Sequence, residues 1–182
     1  FLRYIVDEIT YQIAKKAQEQ LIDLIVNAPE NPEANSVSVP RIPVTNEQTL
    51  SGVARALGFL SAEATDPVLV MTRQEWARFK AAAATANYAY DPFEGLPVVF
   101  VDRLPTTPGG NYRVRFIIGD FGRGALMNFP NGEEIRVKRD DLSLSEKDLV
   151  KFVGRMYVGM GLVADKAFVF AVDEASGNQE AG

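Results

Sequence analysis

The chain has 182 residues, 47% apolar and 24% charged, with a net charge of −5, which suits one compact domain or two small interlocked ones needing no metal or disulfide to hold together. It contains no histidine and no cysteine, which excludes Ser-His-Asp and Cys-His catalysis, thiolate chemistry and the usual zinc sites within the chain, and fits a reducing compartment. The acidic balance leaves no basic footprint for nucleic acid, and no apolar run is long enough for a membrane span.

Leu2, Ile5, Val6, Ile9, Ile13, Ala17, Leu21, Leu24 and Ile25 recur at spacings of three and four. They predict one amphipathic helix over residues 1–28, about 40 Å long, stopped by Asn27, Pro29 and Pro32. The sequence begins at Phe1, without a Met and inside this helix, so a natural polypeptide extending upstream is expected. Residues 29–44 carry four prolines and read as an extended crossing. Thr45 with Gln48 is a capping-box pattern that opens a second helix, with Leu50, Val53, Ala54 and Leu57 as its buried face. Val68–Met71 is a short apolar run, a strand buried on both sides. Thr72 with Glu75 repeats the capping pattern and starts the helix holding Trp76 and Phe79, with Trp76 expected in the core.

A loop rich in aromatic residues, 85–94, follows, with Tyr88, Tyr90 and Phe93. Pro97–Val101 and Tyr112–Ile118 read as strands, with Arg113 and Arg115 on the solvent side of the second. Gly119–Gly124 breaks the pattern and reads as a crossing that needs positive φ. Ala125–Phe129 and Glu134–Arg139 flank Pro130-Asn131-Gly132, a hairpin signal, and Ser143 with Glu146 fits a short capped helix. From Val150 to Leu162 the apolar side chains fall on even positions, with Lys151, Arg155 and Tyr157 on odd ones. Period two predicts one long strand with the even residues toward the core, and Gly154, Gly159 and Gly161 oppose a helix. Lys166–Val172 is a last strand, and residues 173–182 form a small polar tail.

No nucleophile elbow or phosphate loop is present. The pairs Glu133/Glu134 and Asp140/Asp141 are the candidates for acid–base or cation chemistry, and a solvated charged face explains them better. Tyr88, Tyr90 and Phe93 are costly to leave in water. They either pack back on their own domain or meet a neighbouring subunit, where aromatic residues are enriched.

Four segments in this order resemble one family. Val68–Trp76 is similar to a strand running into an Asn/Thr-x-x-x-Trp helix start. Gly95-Leu96-Pro97-Val98-Val99 is similar to a Gly-x-Pro-Val strand, and Ile118-Gly119-Asp120-Phe121 to a Gly-Asp/Gly-Phe return. Arg136-Val137, Val150–Leu162 and Ala167-Phe168-Val169 resemble closing strands. Together they resemble the Hong Kong 97-type major capsid proteins of tailed bacteriophages and prophages, across nearly the whole chain.

The resemblance implies an α+β fold with a spine helix, a mixed α/β A-domain over residues 31–120, and a P-domain from residues 1–30 and 121–174, leaving 175–182 as a mobile tail. It implies that the family's N-terminal arm and extended loop belong upstream of this sequence. It implies a structural shell subunit and no enzyme, catalytic residue, cofactor or metal. Its partners would be copies of itself in hexamers and pentamers, other head-assembly proteins, and packaged DNA held only non-specifically, with no membrane. Its place would be the virion capsid, assembled in the bacterial host cytoplasm. Tyr88, Tyr90 and Phe93 would be subunit contacts near the capsomer axes. Some members crosslink an Asn to a neighbour with the help of a Glu; those places hold Phe152 and Gly159 here, which argues against crosslinking. The alternatives are an encapsulin-type nanocompartment shell, a minor virion protein, or an enzyme working through the carboxylate pairs.

Overall fold

A computed structural model describes residues 2–30, 37–45, 48–109, 112–130, 135–140 and 150–173. Two compact units emerge: Phe1–Leu21 with Met127–Gly161, and Ile22–Leu126 with Leu162–Gly182.

The second unit is built on a five-stranded sheet. Its strands are β1 (Arg41–Val44), β2 (Val68–Thr72), β3 (Val98–Val101), β4 (Val114–Gly119) and β9 (Phe168–Asp173), in the order β1-β9-β4-β2-β3. β4 runs antiparallel to both neighbours, while β1 and β9, and β2 and β3, pair in parallel. Two helices, α2 (Thr49–Leu57) and α3 (Arg73–Thr85), supply the side chains that cover one face. There Val53, Ala56 and Phe79 join Ile42, Val44, Leu69, Met71, Phe116, Ile118, Val169 and Ala171 in the core. The alternate strand residues Val70, Ile117 and Phe170 are buried as well. Burial on both faces is why these strands read as unbroken apolar runs. β1 contains Pro43, which lacks an N–H and is tolerated because β1 is an edge strand. The stretch expected to be a plain crossing therefore ends in a strand.

α2 begins at Thr49, later than the Thr45 pattern predicts. Thr45 still caps locally, its hydroxyl accepting from the Gln48 N–H at 3.3 Å. The later start turns the buried face to Thr49, Gly52, Val53 and Ala56, leaving Ala54 exposed. Gly52 permits close packing, since a Cβ there would lie 3.2 Å from Val44 Cγ1.

Arg115 is not on the solvent side. The β4–β9 register shifts between Val114 and Phe116, so Arg115 is the extra residue of a bulge. A bulge breaks strict alternation: Phe116 packs edge-on against Phe79, and Arg115 also turns to α2 and α3, where it is 3% exposed. Its Nε donates to Glu75 Oε1 at 2.7 Å and Nη2 to Thr49 Oγ1 at 3.0 Å. Nη1 reaches the carbonyls of Val44 and Thr45, each at 3.4 Å. One guanidinium thus ties the end of β1, the start of α2 and the first turn of α3.

The Gly119–Gly124 stretch differs from its expectation too. None of its three glycines has positive φ, which among the described glycines occurs at Gly95 and Gly109. α4 (Phe121–Gly124) is a single turn capped by Asp120. Both end glycines make room for Phe168: a Cβ on Gly119 would lie 2.1 Å from its ring, and one on Gly124 2.4 Å. Phe121 meets the same ring edge-on at 5.0 Å. Close approach, not backbone freedom, is what requires glycine here.

In the first unit, α1 (Leu2–Asn27) contributes Ile9 and Ile13 against Gly154, where a Cβ would lie 2.3 Å from Ile9. The amphipathic stripe starts later than predicted, since Leu2 and Val6 are exposed. The expected single strand from Val150 to Leu162 is two: β7 (Lys151–Arg155) and β8 (Gly159–Leu162). β7 pairs antiparallel with β6 (Arg136–Asp140), and β8 pairs with β5 (Ala125–Asn128). The segments flanking Pro130-Asn131-Gly132 therefore pair with these later strands and not with each other. Alternation persists in part: Lys151, Arg155, Tyr157 and Gly159 are exposed and Phe152, Met156, Val158 and Met160 half-buried, but Val150, expected toward the core, is exposed and Val153 is half-buried. Glu133, Glu134, Asp141, Ser143, Glu146 and residues 174–182 lie outside the described residues. β9 was expected with the P-domain strands; its place between β1 and β4 sets it in the five-stranded sheet of the second unit.

Candidate subunit-contact surface

The aromatic loop is positioned from α3 outward. Thr72 caps this helix, its hydroxyl accepting from the Glu75 N–H at 3.2 Å. The reciprocal half of a capping box is missing because the Glu75 carboxylate is engaged by Arg115, with Arg78 at 3.5 Å on its other oxygen. At the far end, Asn87 adopts φ 51°, the Tyr88 N–H donates to Ala83 O at 2.9 Å, and the Asn87 N–H to Ala84 O at 3.3 Å. That is a Schellman closure, for which Asn is a common substitute for Gly. It reverses the chain directly before Tyr88 and Tyr90.

Asp91 then organises the return. Its carboxylate accepts from the Phe93 N–H at 3.3 Å and the Gly95 N–H at 3.0 Å, while Glu94 and Gly95 take φ values of 53° and 72°. The turn delivers Pro97 to the sheet, where its carbonyl accepts from the Leu69 N–H at 2.9 Å.

The three aromatic residues do not share one fate. Tyr90 is 78% exposed, and Tyr88 is 36% exposed and meets it edge-on at 5.8 Å. Phe93 is only 4% exposed: its ring stacks on Trp76 at 6.4 Å and tilts against Phe79 at 5.6 Å. Phe93 is thus corrected from contact residue to core residue, because the Asp91 turn folds it inward. Trp76, expected in the core, keeps an open side and meets Phe100 edge-on at 6.3 Å. Val99 and Phe100 on the edge strand β3 are also exposed. Sequence reasoning missed these two, since Val98–Val101 reads like any buried apolar strand. The signal available in the sequence was the charged pair Asp102-Arg103 directly after the strand; only the fold brings Arg73 over the Phe100 ring, at 4.5 Å.

The titratable groups with clear shifts are structural. Asp120 is buried, which pushes its carboxyl up, but N–H donors of Asp66, Arg123, Thr65 and Gly122 outweigh this and hold it below the usual carboxylate range. Its Oδ2 accepts from Thr65 and Asp66, and its Oδ1 from Arg123, each at 3.1 Å. Asp165 is likewise lowered, chiefly by the Ser38 hydroxyl and then the Ser38 N–H, with Lys166 adding to the effect. Among the described residues no group of three carboxylates could hold a metal ion. No helix among them is long and apolar enough to cross a membrane. Phe152 and Gly159, which the resemblance sets at the crosslinking places, lie in β7 and β8.

Solved structures share this fold. The capsid of a native GTA particle matches with a TM-score of 0.65 at 16% identity, over 95% of this chain and 65% of that one. The capsid of the empty GTA particle matches with a TM-score of 0.59, also at 16% identity, over 95% and 66%. The holo-SrpI encapsulin complex of Synechococcus elongatus PCC 7942 matches with a TM-score of 0.58 at 14% identity, over 100% and 68%. The chain thus spans about two thirds of the length of these shell subunits. No curated protein sequence matches it. The model of the phage capsid family matches residues 1–173. The chain belongs to the phage capsid family.

Proposed function

We propose that this protein is a structural subunit of a phage-type icosahedral shell, in which copies associate as hexamers and pentamers around packaged DNA without catalytic turnover. The observation that carries this is the family match from residue 1 to residue 173. The encapsulin likeness is of fold alone at 14% identity and does not favour a cargo compartment. In this reading the unit with the five-stranded sheet corresponds to the A-domain and the unit with most of α1 to the P-domain. Tyr88 and Tyr90 are contact side chains near the capsomer axes, supported by their exposure at the Asn87 reversal. Other head-assembly proteins act as partners, assembly takes place in the host cytoplasm, and the mature location is the virion. The net charge of −5 supports only weak, salt-sensitive contact with DNA. Electron microscopy of the full-length protein, expressed with its assembly partners, tests the proposal. Closed shells or capsomers are expected; a protein that stays monomeric under those conditions overturns it.

A further inference from the structure

The five-stranded sheet ends in two clefts of different charge. The pairings Val68↔Gly119 and Phe168↔Gly119 place the starts of β2 and β9 and the end of β4 at one end. Thr72↔Val101 and Val114↔Val172 mark the other.

At the latter end a cleft of about 550 Å³ is lined by Arg73, Arg103 and Arg113, with Asp102 beside them. Arg73 sits over the Phe100 ring, and Arg113 donates to Gln74 Oε1 at 3.4 Å. These contacts restrain two cationic heads on the cleft wall. The cleft borders β3, whose outer edge is unpaired within the sheet and whose Val99 and Phe100 are 39% and 38% exposed. An open apolar edge of this kind is a template for association unless something covers it.

At the opposite end a cleft of about 740 Å³ is lined by Phe59, Glu63, Val163, Asp165 and Lys166 among others. Glu63 and Asp66 are exposed, and Phe59 is 50% exposed. The walls are held firmly. The Ser61 N–H donates to Lys166 O at 2.9 Å, the Lys166 N–H to Ser38 O at 3.1 Å, and Ser38 donates to Asp165 from both its N–H and its hydroxyl.

We infer that these two ends are the halves of one head-to-tail contact between copies of this chain. The arginine cleft and β3 edge of one copy receive residues 58–66 of the next, with Glu63 and Asp66 meeting Arg73, Arg103 and Arg113 and Phe59 covering Val99 and Phe100. Both surfaces pair apolar area with charge of opposite sign. A twofold contact through either surface would set like charges face to face, which is unfavourable. Joining two different surfaces repeats from copy to copy and closes a ring when the rotation allows. The inference rests on the shell reading, since it takes a second copy as the partner. DNA phosphates are the competing chemistry for three arginines; the exposed apolar edge beside them favours protein.

The test uses the full-length protein with its assembly partners and compares wild type with Arg73→Glu/Arg103→Glu, with Glu63→Lys/Asp66→Lys, and with all four changes in one chain. Either reversal alone is expected to weaken capsomer association by about tenfold or more in sedimentation, and the fourfold variant to recover most of it, because the reversed ends again complement each other. Melting curves identify any variant that fails to fold. In that case the salt response of the wild type decides, with association expected to fall as salt rises and a salt-independent association overturning the contact. Reversals that assemble like wild type, or a fourfold variant as defective as either pair, overturn it. So does an Arg73→Glu/Arg103→Glu protein that loses retention on duplex DNA while forming normal capsomers. A wild type that forms no capsomers overturns the shell reading and this contact together.

Discussion

Arg115 and Glu75 show how one buried charge pair organises three elements. Both are almost fully buried, and Thr49 and two carbonyls use the remaining guanidinium donors. Removing Arg115 leaves the buried Glu75 carboxylate with only the half-exposed Arg78, at 3.5 Å, as its charged partner. Arg115→Met should therefore cost about 3–5 kcal/mol in denaturant unfolding, whereas Arg115→Met with Glu75→Leu should recover a large part of it. If the double variant is no more stable than the single, the pair is not the source of the loss. Asp120 makes a second residue-scale prediction. Its folded pKa is depressed, so the stability it contributes is present above the unfolded value of about 3.9 and is lost as pH falls through the folded value. Asp120→Asn should melt lower than wild type near neutral pH, with the gap narrowing as pH falls below about 4. A gap that stays constant from neutral to acid pH would contradict this assignment.

At the scale of elements, the α3–β3 connection combines a core anchor with an exposed tip. Phe93→Ser removes a ring packed on Phe79 and Trp76 and should cost about 3–5 kcal/mol. Tyr90→Ser touches a largely exposed ring and should change folding stability by less than about 0.5 kcal/mol. In the full-length protein Tyr90→Ser should weaken capsomer formation, since interfacial Tyr residues are frequent hot spots. Normal sedimentation of assembled Tyr90→Ser would remove this loop from the contact. The α4 turn offers a steric check. Gly119→Ala would drive a methyl into the Phe168 ring and toward Ala167 O at 2.8 Å, a backbone atom that cannot swing away. A loss of about 1–3 kcal/mol is expected from such overpacking; an unchanged melting temperature would mean that the sheet absorbs the clash.

At the scale of the whole molecule, the proposed function is repetition: each contact would need only modest strength because a shell multiplies it. Because these 182 residues span about two thirds of the length of the shell subunits they match, they are expected by themselves to stay a monomer or small oligomer in dilute solution, which light scattering reads directly. Large closed shells formed by the chain alone would contradict the expectation. What the sequence by itself determined is whatever local periodicity and capping encode. The spine helix over α1, the apolar runs of β2, β4 and β9, the Thr72 cap and the ordered family motifs were all legible because neighbouring residues carry them. The tertiary structure alone decided the rest. Arg115 faces the helices because a bulge cancels the strand alternation, and that bulge exists only in the pairing with β9. Phe93 turns inward because Asp91 closes a turn beneath Trp76. Val150–Leu162 divides into two strands because β5 and β6, distant in sequence, each claim one half. In each case the deciding partner lies on another segment, and a period read along one segment cannot specify which distant backbone will meet it.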